Sequence, residues 1–289
     1  MFGFYVDDIF VVALTYGLVT LGLYVTLASG QFSVAHASLM GLGGYMGGWA
    51  TTQWNLPFPI AIILGGLAGG LGGLLIAFIL QRTSGILLGT VTIAIGQSLS
   101  LVAQNTEFLG ASQGLTGIPL KSDLPTATIL MALALTAVLL IQRTSFGMQV
   151  VAAGRDETVA RSLGVSILGI RLYGFGFGGF LAGLGGVLLA HHNGVIDPSN
   201  LSYAFEPLFF IFLVLGGYSS AWGGVLGAIG ITWIMEVLRF NGGTFLFLDQ
   251  QDRPWLLGLV LVVVLIISPD GAIRRKSIKT SMATSAKVG

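Results

Sequence analysis

Residues 9–28 contain no Asp, Glu, Lys or Arg, and they are the first of a series of such runs. A helix needs roughly 20 mainly apolar residues to cross the hydrocarbon of a bilayer. Comparable runs follow at 37–52, 57–80, 86–102, 124–141, 172–190, 205–216, 221–238 and 255–267, several of them short or glycine-rich. Apart from Glu206 and Glu236, charge falls in clusters between them, and only 9% of 289 residues are charged while 54% are hydrophobic. A soluble domain spends about a quarter of its residues on charge, and no water-facing shell can be built from so few. The expected fold is an all-α, polytopic membrane helix bundle of about 8–10 transmembrane helices, some of them broken. A formal net charge of +1 fits neither a nucleic-acid binder with a basic face nor a disordered chain. With no Cys there is no disulfide framework and no thiolate metal site.

The basic residues orient the bundle. Arg143, Arg155, Arg161 and Arg171 lie in an interior loop, and Arg274, Arg275, Lys276, Lys279 and Lys287 lie in the tail. Cytoplasmic segments carry such an excess. The four runs between the two clusters are an even number, which returns the chain to the same side. Counting backwards puts Arg82 inside, and the start of the chain, with Asp7 and Asp8, outside. The segment 191–203 also falls outside. A single membrane domain is expected over 1–272, with a cytoplasmic loop over 143–171, followed by a basic cytoplasmic tail over 273–289 expected to be disordered. The acidic start and span-length first run argue for a retained span over a secretory signal.

Glycines recur four apart, as in Gly65, Gly69 and Gly73, Gly43 and Gly47, Gly179 and Gly183, and Gly223 and Gly227. That spacing puts small residues on one helix face, where backbones can approach closely. Residues 64–77 (LGGLAGGLGGLLIA) align without gaps with 177–190 (FGGFLAGLGGVLLA). The orientation above has the two crossing in opposite directions, as in an inverted repeat with a solute path at its interface. Chance similarity between glycine-rich runs is the alternative.

Three polar stretches interrupt the pattern. At 29–38 the order Ser-Gly-Gln-Phe-Ser-Val-Ala-His-Ala-Ser separates two apolar runs. It reads as a discontinuous helix lining a pathway, or as a turn with Ser33 capping the next helix. Gln31, Ser33 and His36 are the candidate solute-path residues, because they offer several hydrogen-bonding groups at the break. At 110–119 the chain reads as an ordered, turn-rich outer loop. At 148–165 a short amphipathic helix is expected, with Glu157 and Arg161 spaced as a helical ion pair, Val151, Ala152, Val159 and Leu163 on an apolar side, and Gly164 as end signal. Arg155, Asp156, Glu157 and Arg161 are the candidate residues for transmitting a push from a soluble partner, the alternative being a helix resting on lipid.

Glu206 and Glu236 lie in or near apolar segments, where an ionised carboxylate suggests function, as in an ion-coupled transporter or channel. Glu206 precedes Pro207 and Glu236 is three residues from Arg239, so interfacial anchoring is expected of both. His36, His191 and His192 belong to no metal motif, and the adjacent pair is expected at the interface. No metal and no catalytic residue is expected.

The runs SGQFSVAHASLMGLGGY at 29–45, GASQGLTG at 110–117, AAGRDETVARSLGV at 152–165, VIDPSNLSYAFEPLFFIFLVLGGYSSAWGGVLGA at 195–228 and SPDG at 268–271 together resemble the permease family of branched-chain amino acid ABC importers. The match spans nearly the whole chain, with Leu215, Gly216, Gly217, Trp222 and Gly223 its most specific piece. Ala35 and Gly154 depart from the usual pattern, the first bearing on solute fit and the second on partner docking. The resemblance implies a permease subunit without chemistry of its own, in a bacterial cytoplasmic membrane. It would pair with an identical or related permease, two cytoplasmic ATP-binding subunits and an extracytoplasmic solute-binding protein. In keeping with this, the phosphate-cradling Gly-x-x-x-x-Gly-Lys-Ser/Thr pattern is absent; its nearest approach, at 271–277, lacks the second glycine. ATP would be hydrolysed by the partners and drive alternating access. Branched-chain or other small neutral amino acids are the expected solutes, with urea, short amides or another small organic solute as alternatives.

Overall fold

A computed structural model describes residues 2–202 and 205–240, with side chains over 6–202 and 205–235. The run expected at 255–267, the basic tail and the side chains of Glu236 and Arg239 lie outside the described residues. The chain is a helix bundle in the order α1 (Phe2–Ala28), α2 (His36–Thr52), α3 (Phe58–Ile79), α4 (Gly85–Gln104), α5 (Leu124–Gln142), α6 (Ser145–Arg155), α7 (Glu157–Ser162), α8 (Ile167–Asn193), α9 (Glu206–Gly216) and α10 (Ala221–Phe240). This is the polytopic all-α membrane fold that the apolar runs require. Among the described residues α1, α3, α4, α5 and α8 are long and apolar enough to cross a membrane, six spans resulting if α9 and α10 together make one.

Two runs differ from expectation. The 17 residues of α2 are short of a crossing and lie buried against α1, α3 and α8. The 11 residues of α9 rise about 16 Å at 1.5 Å each, half of the hydrocarbon thickness. At Gly217, with φ at 110°, the chain turns into α10 at 114°. The two runs at 205–216 and 221–238 are therefore one bent pair, a broken span or a re-entrant loop, where two straight spans were expected.

Local signals set the other boundaries. Asp123, Thr144, Asp156 and Ser166 each accept a backbone N–H in the first turn of α5, α6, α7 and α8. Gly30, Gly164 and Gly194 adopt positive φ where α1, α7 and α8 end, a conformation that costs glycine little.

The long helix α8 sits between α1 and α3. Its contact with α3 is the glycine seam expected from the repeats. Gly65 and Gly69 meet Gly183, Gly69 meets Gly179, and Gly73 meets the Phe175 carbonyl, so the repeated stretches pack antiparallel. A Cβ on Gly69 would stand 2.8 Å from Gly183 Cα, and one on Gly179 would stand 2.5 Å from the Gly69 carbonyl oxygen. Opposite directions are borne out, whereas a solute path between these stretches is not: backbone fills the interface.

At one end of the bundle, Leu115–Thr116 pairs antiparallel with Val195–Ile196. Ile118 N–H donates to the Gly194 carbonyl and Lys121 N–H to that of His191. The loop at 110–119 is thus the ordered turn structure expected, tied to the other loop assigned to the same side. His191 is fully buried, its Nδ1 2.9 Å from the Val187 carbonyl oxygen and its Nε2 3.1 Å from Thr51 Oγ1, which replaces the expected interfacial position with a packed, bonded one.

Candidate functional site at the helix break

The break between α1 and α2 is real, and its construction explains which residues it needs. Ala35 occupies the N-cap position of α2 and offers no side-chain acceptor. The first N–H groups of the helix must therefore find a partner elsewhere. Glu206, at the start of α9, supplies it: Oε1 accepts from His36 N–H at 3.1 Å and Oε2 from Ala37 N–H at 2.6 Å. The carboxyl group is fully buried. It stands at the positive ends of two helices, its own and α2. This overturns two expectations: Glu206 is no interfacial anchor, and Ser33 does not cap α2.

Each residue singled out at the break lies inside protein. Gln31 Nε2 donates to Ser29 Oγ at 2.8 Å and to the Arg171 carbonyl at 3.3 Å. Ser33 is fully buried, and its Oγ has no hydrogen-bond partner among the described residues. The Thr26 hydroxyl donates to the Gly174 carbonyl at 2.8 Å, leaving its lone pair for His36 Nε2–H at 3.0 Å. That tautomer leaves His36 Nδ1 unpartnered, 3.7 Å from Glu206 Oε1. Thr92 Oγ1 of α4 accepts from Val34 N–H at 3.0 Å. The break is therefore a closed polar joint of α1, α2, α4, α8 and α9. Ala35, which departs from the resemblance's pattern, is fully buried within it.

The second set, Arg155, Asp156, Glu157 and Arg161, lies at the end of the bundle opposite the paired loops. A single helix was expected here, but Asp156, with φ −153° and ψ 103°, ends α6 and caps α7 through Thr158 and Val159 N–H at 2.9 and 3.0 Å. Glu157 pairs with Arg161 at 2.7 Å, as its spacing predicts, and with the buried Arg171 at 3.0 Å. Burial pushes the Glu157 carboxyl up, but hydrogen bonds and charge from Arg171 and Arg161 outweigh it and hold the group below the usual carboxylate range. Arg155, Asp156 and Arg161 are exposed.

The apolar side divides differently from expectation. Val150, Ala153, Ala160 and Ile170 form the small core under α6 and α7, while Val151, Val159 and Leu163 are exposed, Leu163 by 75%. Gly154 is exposed and also packs inward. Its backbone lies against Ala28 and Gly30, and a Cβ on Gly30 would come within 2.9 Å of Gly154 Cα. The two candidate sets thus meet where α6 rests on the break.

Sequence reasoning missed Glu206 as a cap and Arg171 and Thr26 as joints. A legible signal existed for the first: a helix starting His-Ala-Ser behind Ala35 lacks its own cap, and a carboxylate in an apolar segment lacks a partner. Among the described residues no cluster of His, Asp and Glu is arranged to hold a metal ion.

A family model described as "Branched-chain amino acid transport system / permease component" matches residues 5–269. The chain is 26% identical over 302 aligned positions to the high-affinity branched-chain amino acid transport system permease protein LivM of Escherichia coli K12, covering 91% of this chain and 69% of that protein. It is 28% identical over 282 positions to the autoinducer 2 import system permease protein LsrC of Photorhabdus luminescens, covering 94% of this chain and 84% of that protein. A Yersinia pseudotuberculosis LsrC is 29% identical over 271 positions, covering 89% of this chain and 74% of that protein. No solved structure matches the chain.

Proposed function

Because the chain belongs to the family of branched-chain amino acid transport system permease components, we propose that it moves branched-chain or other small neutral amino acids inward across a bacterial cytoplasmic membrane. As a permease component of ABC-type transport it needs no chemistry of its own. Two cytoplasmic ATP-binding subunits hydrolyse ATP, an extracytoplasmic solute-binding protein delivers the solute, and a second permease completes the bundle. The first residues lie outside and the tail inside, following the basic clusters.

The observation that carries this reading is the seat of α6 on the break. Arg155, Asp156, Glu157 and Arg161, with exposed Val151, Val159 and Leu163, give the ATP-binding subunits a mixed polar and apolar surface. Directly beneath, Gly154 touches Gly30. Nucleotide-driven movement of the partners shifts α6 and α7, and the joint carrying Gln31, Ser33 and His36 opens to one side and then the other. Among the described residues, no side chain of formal charge other than Glu206 lines the break, which suits a neutral or zwitterionic cargo. The LsrC relatives favour a second reading, a small neutral organic solute carried by the same mechanism. An ion-coupled transporter loses its main support, since capping α2 explains the buried Glu206 carboxyl.

Liposomes containing the permease with the proposed ATP-binding subunits and solute-binding protein test the reading. Uptake of labelled leucine or valine that requires ATP is the expected result, and uptake of autoinducer 2 in its place would select the second reading. Gradient-driven accumulation by the permease alone would overturn both. Replacing Arg155 and Glu157 together by Ala is expected to leave ATP hydrolysis running without uptake.

A further inference from the structure

Arg171 belongs by sequence to a cluster of loop cations, yet it is buried in the first turns of α8. Its Nη1 donates to the carbonyls of Gln81 and Thr83, in the turn between α3 and α4, the latter at 3.0 Å. Its Nη2 donates to Glu157 Oε2, the first residue of α7, at 3.0 Å. Its own carbonyl accepts from Gln31 Nε2 at 3.3 Å. Gln31 continues to Ser29 Oγ at 2.8 Å, and Ser29 Oγ donates to the Thr26 carbonyl at 2.6 Å. Nearly one turn beyond Arg171, the Gly174 carbonyl accepts from the Thr26 hydroxyl that also meets His36. Three parts of the chain that are distant in sequence, α7, the α3–α4 turn and the break, are therefore fastened to the first turns of one helix.

The chemistry of the side chain matters. A guanidinium is planar, permanently charged and forked, so it can hold two carbonyls with one nitrogen and a carboxylate with the other; an ammonium lacks that fork. A buried cation whose acceptors move apart is left unpaired in low dielectric, which is costly. Displacing Glu157 thus pulls Arg171 or strands its charge, and either outcome disturbs the carbonyl that holds Gln31.

We propose that Arg171 is the positioning residue through which displacement of α7 reaches the break between α1 and α2 and the turn between α3 and α4. This deepens the proposed function, on which its role in coupling rests, and it is separate from the direct contact of α6 with Gly30. The link itself is a property of the permease and can be tested without partners.

Amide hydrogen exchange on the full chain in nanodiscs reads that link. Arg171→Met is expected to raise exchange roughly tenfold in three segments together, 29–36, 81–84 and 157–162, while the paired strands and the glycine seam keep their protection. Gln31→Met, which cuts only the last step and spares the guanidinium, is expected to raise exchange at 29–36 and leave 157–162 within twofold. Arg171→Lys keeps the charge without the fork and is expected to behave like Arg171→Met. Exchange at 29–36 within twofold of the parent in both Arg171 variants would overturn the proposal. In liposomes with the partners, Arg171→Met is expected to bring the ratio of solute-stimulated to basal ATP hydrolysis down to about 1. A parental ratio in Arg171→Met beside a lost ratio in the Arg155 and Glu157 double variant would overturn this inference and spare the proposed function. A parental ratio in both would remove the coupling surface itself.

Discussion

The seam between α3 and α8 and the break between α1 and α2 both depend on glycine, and they use it for opposite ends. Along the seam, glycine removes side chains so that two helices touch backbone to backbone, with apolar side chains such as Val187, Phe180 and Leu184 as neighbours. Without a hydrophobic force inside a bilayer, such contact is what holds helices together. At the break, Gly30 ends a helix, and the groups thereby released are satisfied by Thr26, Ser29, Gln31, Thr92 and Glu206. Close-packed apolar interfaces have one good arrangement, whereas a hydrogen-bonded joint can exchange partners. The first is suited to holding one geometry, the second to exchanging partners.

The largest expected effect breaks the seam. Gly69→Val places a branched side chain against the backbone of Gly179 and Gly183, which cannot rotate away. Overpacking costs about 1–3 kcal/mol where side chains can adjust, and here more, so little folded protein is expected in size-exclusion profiles of detergent extracts. Gly230→Ala is the matching control, because nothing lies within 4 Å of its added Cβ; it should match the parent or gain slightly. A well-behaved Gly69→Val protein would show that the seam opens readily and dissolve the contrast.

Next in size is the cap. Glu206→Ala leaves the N–H groups of His36 and Ala37 buried without acceptors, at about 1–3 kcal/mol each. A lower melting temperature in detergent is expected, with Glu206→Gln intermediate because one acceptor oxygen remains. Smaller in stability, though larger in function, are Gln31→Ala and His36→Ala. Each removes part of the joint from the side-chain end, so transport should slow roughly tenfold while the amount of assembled protein stays at the parental level. Unchanged uptake in both would remove the solute path from the break.

Much of this contrast was legible in sequence because it depends on local patterns. Four-residue glycine spacing, the polar interruption at 29–38 and the apolar runs that became α1, α3, α4, α5 and α8 are one-dimensional signals, and each lies where it was expected, whereas α2 and the bent pair of α9 and α10 do not follow from run length alone. What stayed hidden depends on pairing across distance. Glu206 is 170 positions from His36 and Arg171 is 140 from Gln31. Each reads locally as an anchor or a loop charge, because no periodicity reports which orphaned N–H or carbonyl faces it. The depth of Val150 and Val151 shows the same limit at short range: on α6 the first is buried and the second exposed, because which of two neighbours faces the bundle depends on what the helix packs against.

The smallest expected effect lies at the rim of the joint, where Glu157 meets both arginines. The folded protein depresses its pKa, so the stabilisation it lends α7 is fully present above the unfolded value near 4.5 and is lost as pH falls through the lower folded value. Amide exchange at 157–162 should therefore be insensitive to this group from neutrality down to about pH 5, and protection should fall off only in more acid solution. Glu157→Gln should erase that step, which separates it from general acid unfolding. The two arginines divide the effect unequally. Arg161 makes an exposed helical pair worth about 0.2–0.5 kcal/mol, so Arg161→Gln should barely change the profile. Arg171 is buried and its ion pair is screened less by solvent, so added salt should flatten the Arg161 contribution and leave most of the step in place. A step that vanished in moderate salt would mean that Glu157 is held by the exposed partner, and that α7 is fastened to the surface of the bundle instead of to its interior.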